Sequence, residues 1–206
     1  KEAGKFNKED TLISGCPETG NEYGKGFASG IGIPYIQFLK KIKNSGRTFI
    51  LPENSSRILA CKKNLYVSGN IDGKNLILVD DSLVRGTTCN KIVKMLYKAG
   101  AKEVHVKIAC PEIKYPDFYG VDMPTKEELL AHEKNNEEMC KYIKAKSLKF
   151  LSLDGLYRAL IGEKRNDNYP QFSDHYFTGD YPIKPQDNIK GLKIKQLSLL
   201  SGKSNS

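Results

Sequence analysis

Leu76-Ile77-Leu78-Val79-Asp80-Asp81-Ser82-Leu83-Val84-Arg85-Gly86-Thr87-Thr88 decides how the chain is read. The apolar run that begins after Asn75 predicts a strand over 75–79, buried on both faces as in a parallel sheet. Two acids end the strand, and a short loop leads into Arg-Gly-Thr-Thr. From Thr88 to Ala99 the residues Ile92, Leu96 and Ala99 form one stripe, with Val93 beside it, which predicts a helix. Gly100 supplies its stop. In open α/β sheets ligands sit beyond the carboxyl ends of the strands, so Asp80 and Asp81 stand at the ligand-facing rim. Paired carboxylates there hold Mg²⁺ or accept hydrogen bonds from ribose hydroxyls. Gly86 lets the backbone approach closely, and the amides of Gly86, Thr87 and Thr88 open a helix, where unpaired N–H groups favour a phosphate. For the Asp-Asp pair alone, a plain strand–turn–helix with Asp81 and Thr87 as caps is the better reading. The whole run points instead to a ribose 5-phosphate cradle, with acids on one side and an anion hole on the other.

Working outward, Thr11 to Gly15 is a short strand, followed by a turn at Pro17 to Asn21 and a glycine-containing helix to about Ser29. Ile33 to Leu39 is expected as a second strand. Residues 40–70 are basic, polar and irregular, which suits a long loop or flap with weak strands. Glu103 to Ala109 is the next strand. Thr125 and Glu128 are spaced as a capping box for a helix to His132. Leu148 to Leu153 is a late strand, with Asp154 capping the helix after it. Alternating strands and helices imply a parallel α/β sheet.

The 206 residues suit one α/β domain. No apolar run approaches the roughly 18–20 residues that span a bilayer, and Lys1 to Asp10 lacks a secretory pattern. A cytoplasmic protein with no membrane partner is expected, and a start at Lys1 suggests a fragment or a processed form. The net charge of +9 fits either a lysine-coated surface or an anionic ligand. Without a zinc finger, an RRM signature or a basic heptad region, no nucleic-acid partner is expected. Five cysteines, odd in number and widely spaced without a CxxC, argue for reduced thiols. Cys16 is expected to be a buried free thiol. Cys89 lies at a helix start, which can acidify a thiol, although an ordinary core thiol is the expectation. His105, His132 and His175 are assigned no catalytic role.

The run from Leu76 to Thr88 resembles the phosphoribosylpyrophosphate (PRPP) signature of type I phosphoribosyltransferases. Its flanks narrow the family. Ala99-Gly100-Ala101-Lys102-Glu103-Val104-His105-Val106, Lys114-Tyr115-Pro116 and the block from Phe118 to Leu129 are similar to the amidophosphoribosyltransferases. So are Gly46 to Ile50 and Phe177 to Pro182. The resemblance runs with gaps from about Leu12 to Pro182 and weakens over 40–70 and after Ile183.

The resemblance implies a type I phosphoribosyltransferase fold, a mainly parallel sheet flanked by helices, over residues 1–182. It also implies that the N-terminal part of that domain is missing, and residues 183–206 form a polar basic tail. The implied reaction forms 5-phosphoribosylamine from PRPP and ammonia. It implies substrate contacts from Glu18, Thr19, Asp80, Asp81, Ser82, Arg85, Gly86, Thr87 and Thr88. Thr19, Asp80 and Asp81 would contact Mg²⁺, and Lys41 and Arg47 would belong to a lid that departs from the family between Ile42 and Ser45. One branch of the family carries a 4Fe–4S cluster on cysteines; three of those positions read Asp117, Ser173 and Tyr176 here, so no cluster is expected. No cysteine stands in the context of the family's glutamine-attacking residue. Ammonia would therefore come from a glutaminase domain upstream or in trans, and a homo-oligomer is expected. A non-catalytic PRPP- or nucleotide-binding regulatory protein, or a fragment that only folds or associates, remain the alternatives.

Overall fold

Strand β4 (Asn75–Asp80) is the middle of the molecule, and the other elements are arranged by what its side chains must bury. The computed structural model describes residues 6–41, 65–120 and 125–183. β4 pairs in parallel with β1 (Thr11–Gly15) on one side and β5 (Glu103–Ile108) on the other, with Ile77 opposite Ile13 and His105. β6 (Ser147–Phe150) adds in parallel beyond β5, giving the order β1-β4-β5-β6. Side chains of a strand alternate between faces. Ile77 and Val79 therefore pack with Ile13, Ala28 and Ile33 under α1 (Gly20–Ile31). Leu76 and Leu78 pack on the other face with Ile92, Val93 and Leu96 of α2 (Thr87–Lys98) and with Met139 and Ile143 of α4 (Asn136–Ile143). Full burial of each such aliphatic side chain contributes about 1.5–3 kcal/mol. Among the described residues, no helix is long and apolar enough to cross a membrane.

Three expectations are corrected. The segment Ile33 to Leu39 is not a strand along its length. Pro34 has no N–H to donate, and only Tyr35 forms an isolated bridge, to Ile13. Phe38 N–H then bonds the Ile36 carbonyl at 2.8 Å, turning the chain. The strand begins at Leu39, as β2 (Leu39–Lys41), which pairs antiparallel with β3 (Leu65–Val67). The residues between them, including Arg47 and the block Gly46 to Ile50, lie outside the described residues.

The box at Thr125 and Glu128 does not form. A 3₁₀ turn covers Lys126–Glu128, α3 starts later (Leu130–Glu133), and the Glu128 carboxylate binds Arg85 instead. A capping box does open α4. Glu138 N–H bonds Asn135 Oδ1 at 3.0 Å and Asn135 N–H bonds Glu138 Oε2 at 2.9 Å. Finally, β6 ends at Phe150, and Ser152 rather than Asp154 caps α5 (Leu153–Ile161), its Oγ accepting from Gly155 N–H at 3.0 Å. Asp154 lies in the first turn and pairs with Arg158 and Lys164.

After α5 the chain returns through a buried ionic knot to α6 (His175–Thr178). Arg165 Nε donates to Asp174 Oδ2 at 2.7 Å, and Arg165 also meets Asp167 and Asp180. Tyr157 OH donates to the same Asp174 oxygen at 2.7 Å. Burial alone would raise the Asp174 carboxyl, but Arg165, Tyr157 and Thr178 outweigh it and hold it below the usual range. Removing one partner of a buried pair leaves an uncompensated charge. Asp174→Asn is expected to destabilise the fold by about 3 kcal/mol in urea denaturation, and a change near zero would show that the knot is not structural.

Candidate functional site

Parallel pairing brings the carboxyl ends of β1 and β4 to one rim, with Gly15 beside Val79. The turn after β1 then folds back against the end of β4. Cys16 N–H donates to the Val79 carbonyl at 2.7 Å, and Gly20 N–H closes on the Cys16 carbonyl at 2.8 Å. A Cβ on Gly20 would lie 2.4 Å from the Val79 oxygen, so the approach requires glycine. The Pro17–Glu18 peptide is cis. Thr19 does not cap α1 with its side chain; its hydroxyl donates to Asp81 Oδ1 at 3.0 Å. Asp81 N–H donates to Asp80 Oδ1 at 3.1 Å. Lys41 Nζ stands 3.7 Å from Glu18 Oε2. Glu18, Thr19, Lys41, Asp80 and Asp81 are thus brought together from three segments far apart in sequence.

The loop from Ser82 leads to Gly86, which caps α2 in the left-handed region at φ +69°. Thr87 and Thr88 open that helix, whose first turn holds no acid. Amide N–H groups in a first turn lack intrahelical partners, and the helix dipole adds positive potential there. Arg85 binds Glu128, with Nε–Oε1 and Nη2–Oε2 both at 3.3 Å. Behind Gly86 stand Leu130 and Tyr142, which no sequence motif marks. The rim therefore carries carboxylates and the N-terminus of a helix side by side.

The Asp80 carboxyl is pushed up to about 7, first by burial and then by its hydrogen bond and charge repulsion with Asp81. A hard cation would relieve both causes. Two carboxylates and a hydroxyl are oxygen donors of the kind Mg²⁺ uses when substrate phosphates and water complete its shell. The residues present fit that ion. Burial pushes the Cys89 thiol up to about 12, helped by the charge of Asp80, so burial overrides any acidification by the helix start. Cys110 is likewise pushed up to about 12, first by burial and then by Asp81. Cys16 is buried, as expected.

Away from the rim, Asp117, Ser173 and Tyr176 converge on His175. His175 Nε2 lies 2.9 Å from Asp117 Oδ1, and Ser173 Oγ lies 3.0 Å from His175 Nδ1. Tyr176 OH donates to the same Asp117 oxygen at 3.2 Å. The four side chains tie α6 to the loop after β5.

Two outcomes are expected of the rim in the free protein. The folded Asp80 carboxyl lies above its ordinary 3.8, so its ionisation opposes folding; the penalty grows as pH rises from about 4 and is complete above 7. Asp80→Asn should raise Tm at pH 8 and lose that advantage at pH 4. Equal Tm differences at both would contradict the burial of this carboxyl. Gly86→Ala places a Cβ 2.7 Å from Leu130 Cδ2 at a φ that L residues avoid. It should lower Tm and weaken binding of inorganic phosphate, as followed by calorimetry.

No protein-family model matches the chain. The chain is 47% identical over 192 residues to an amidophosphoribosyltransferase of Rhizobium etli, covering 92% of this chain and 39% of that relative. With an amidophosphoribosyltransferase of Methanocaldococcus jannaschii it shares 49% identity over 154 residues, 74% of this chain and 32% of the relative. Among solved structures, the glutamine PRPP amidotransferase from B. subtilis, complexed with ADP and GMP, superimposes with a TM-score of 0.71 at 40% identity. That match covers 86% of this chain and 39% of the other. By sequence and by fold, the chain belongs to the amidophosphoribosyltransferase family, and it spans about two fifths of the length of the Rhizobium relative.

Proposed function

We propose that the chain carries the phosphoribosyl-transfer site of an amidophosphoribosyltransferase, the enzyme that opens de novo purine synthesis. Ammonia attacks C1 of PRPP, the C1–O bond to pyrophosphate breaks, and the new ammonium nitrogen gives a proton to solvent, leaving 5-phosphoribosylamine. The observation that carries this reading is the shared rim of Asp80, Asp81, the Pro17–Thr19 turn and the Gly86–Thr88 helix start. In this reading Ser82 and the amides of Gly86, Thr87 and Thr88 hold the 5-phosphate. Asp80 and Asp81 accept hydrogen bonds from the ribose hydroxyls, and Glu18 and Thr19 face the pyrophosphate. Mg²⁺ would be held by Asp80, Asp81 and Thr19, and when bound it supplies positive charge to the leaving group. Lys41 supplies a further cation beside the turn. Fixed charges of this kind act on the charge that develops in the transition state, so no acid–base residue is required.

Residues 1–182 are read as one phosphoribosyltransferase domain and 183–206 as a polar tail. Ammonia is supplied by a glutaminase region outside these residues. Relatives named as enzymes favour catalysis over a purely regulatory role. Asp117, Ser173 and Tyr176 offer no thiolate, which supports a chain without an iron–sulfur cluster. Stoichiometric iron and acid-labile sulfide in the purified protein would refute that part.

Calorimetric titration with PRPP and Mg²⁺ tests the site. The double variant Asp80→Asn/Asp81→Asn should bind at least about tenfold more weakly, the loss of one charge-assisted contact or more. Undiminished affinity would remove the assignment. Ammonium-dependent release of pyrophosphate then separates an enzyme from a binding protein.

A further inference from the structure

We infer that Glu128 and Tyr142, with Leu130 between them, form a back wall that positions the phosphate loop without touching the ligand. The inference rests on the proposed binding of a phosphoribosyl group at this rim. The wall meets the loop and the first turn of α2 at four points. Leu130 N–H donates to the Val84 carbonyl at 2.9 Å. Glu128 engages the Arg85 fork through two contacts of 3.3 Å. The Cα of Gly86 faces the wall so closely that an added Cβ would meet Leu130 Cδ2 at 2.7 Å and the Tyr142 ring at 3.1 Å. The Asn90 side-chain amide donates to the Tyr142 carbonyl, while Asn90 N–H bonds the Gly86 carbonyl at 2.9 Å.

These contacts bear on binding because the phosphate site is built from backbone. The directions of the Thr87 and Thr88 amides follow from the φ of +69° at Gly86, and the wall is what fills the space beside that residue. Displacement of the wall frees the turn to relax, and the amides then diverge. The Glu128 pair also fixes Arg85, a flexible cation in the same loop, in one direction. Both side chains of this pair are about half exposed, and exposed pairs contribute little to global stability. Loss of Glu128 should therefore appear in ligand affinity and not in Tm, which separates a positioning role from a structural one.

The test uses two probes that share the rim but not the loop. Ribose 5-phosphate needs the loop, whereas Mg²⁺–pyrophosphate needs the turn at Glu18 and Thr19. By calorimetry on the whole chain, Glu128→Ala should weaken ribose 5-phosphate about fivefold and leave Mg²⁺–pyrophosphate and Tm unchanged. Glu128→Gln, which keeps an acceptor for Arg85, should restore part of the loss. Tyr142→Ala should weaken the same probe, and Tyr142→Phe, which keeps ring and carbonyl, should not. Equal effects on both probes, or none on either, overturn the back wall. A wild-type chain that binds neither probe refutes the site reading itself.

Discussion

Two carboxylates stand next to each other at a partly buried sheet edge, and that arrangement governs the rest of the rim. Asp81 repels Asp80, and burial adds to the repulsion, so the Asp80 carboxyl rises to about 7. The fold tolerates this because β4 is apolar on both faces just before the acids begin. The Thr19 hydroxyl and the Asp81 amide offset part of the repulsion by donating into the pair. The remaining deficit of positive charge is what a cation, or a cation-bearing ligand, would fill.

Parallel topology does the other half. A strand that leads directly into a helix sets the strand's carboxyl end and the helix N-terminus at the same edge. Asp80 and Gly86 are six positions apart, so the short loop has carboxylates at one end and the N-terminus of a helix at the other. A sugar phosphate complexed with a divalent ion carries both charges. The glycines at 20 and 86 matter because backbone or side-chain atoms occupy the space where a Cβ would stand. Thiols near the rim, Cys89 and Cys110, are raised by burial and by the same acids, so they are poor nucleophiles.

Much of this architecture is legible from the sequence where the signal is local. β1, β4, α2 and β5 follow from apolar runs and a helical stripe, and the acids and glycine mark the rim. Elsewhere distant residues or a local imino acid decide. Thr125 and Glu128 have the spacing of a capping box, but Arg85 takes the carboxylate across 43 positions of sequence. Asn135 and Glu138 do form a box, in a polar stretch whose apolar stripe is reduced to Met139 and Ile143. Ile33 to Leu39 looks like a strand by composition, and Pro34 with the Ile36–Phe38 turn prevents it. Leu130 and Tyr142 beside Gly86 belong to no motif, because they meet that glycine only through tertiary packing. His175 and Asp117 meet across 58 positions, a pairing that spacing does not show.

Crystals of the protein soaked with PRPP and Mg²⁺ would show whether the rim holds the sugar phosphate. The 5-phosphate is expected on the amides of Gly86 to Thr88, the ribose hydroxyls on Asp80 and Asp81, and the ion beside Thr19. A ligand bound in full occupancy elsewhere, with these carboxylates and amides facing only water, would contradict it.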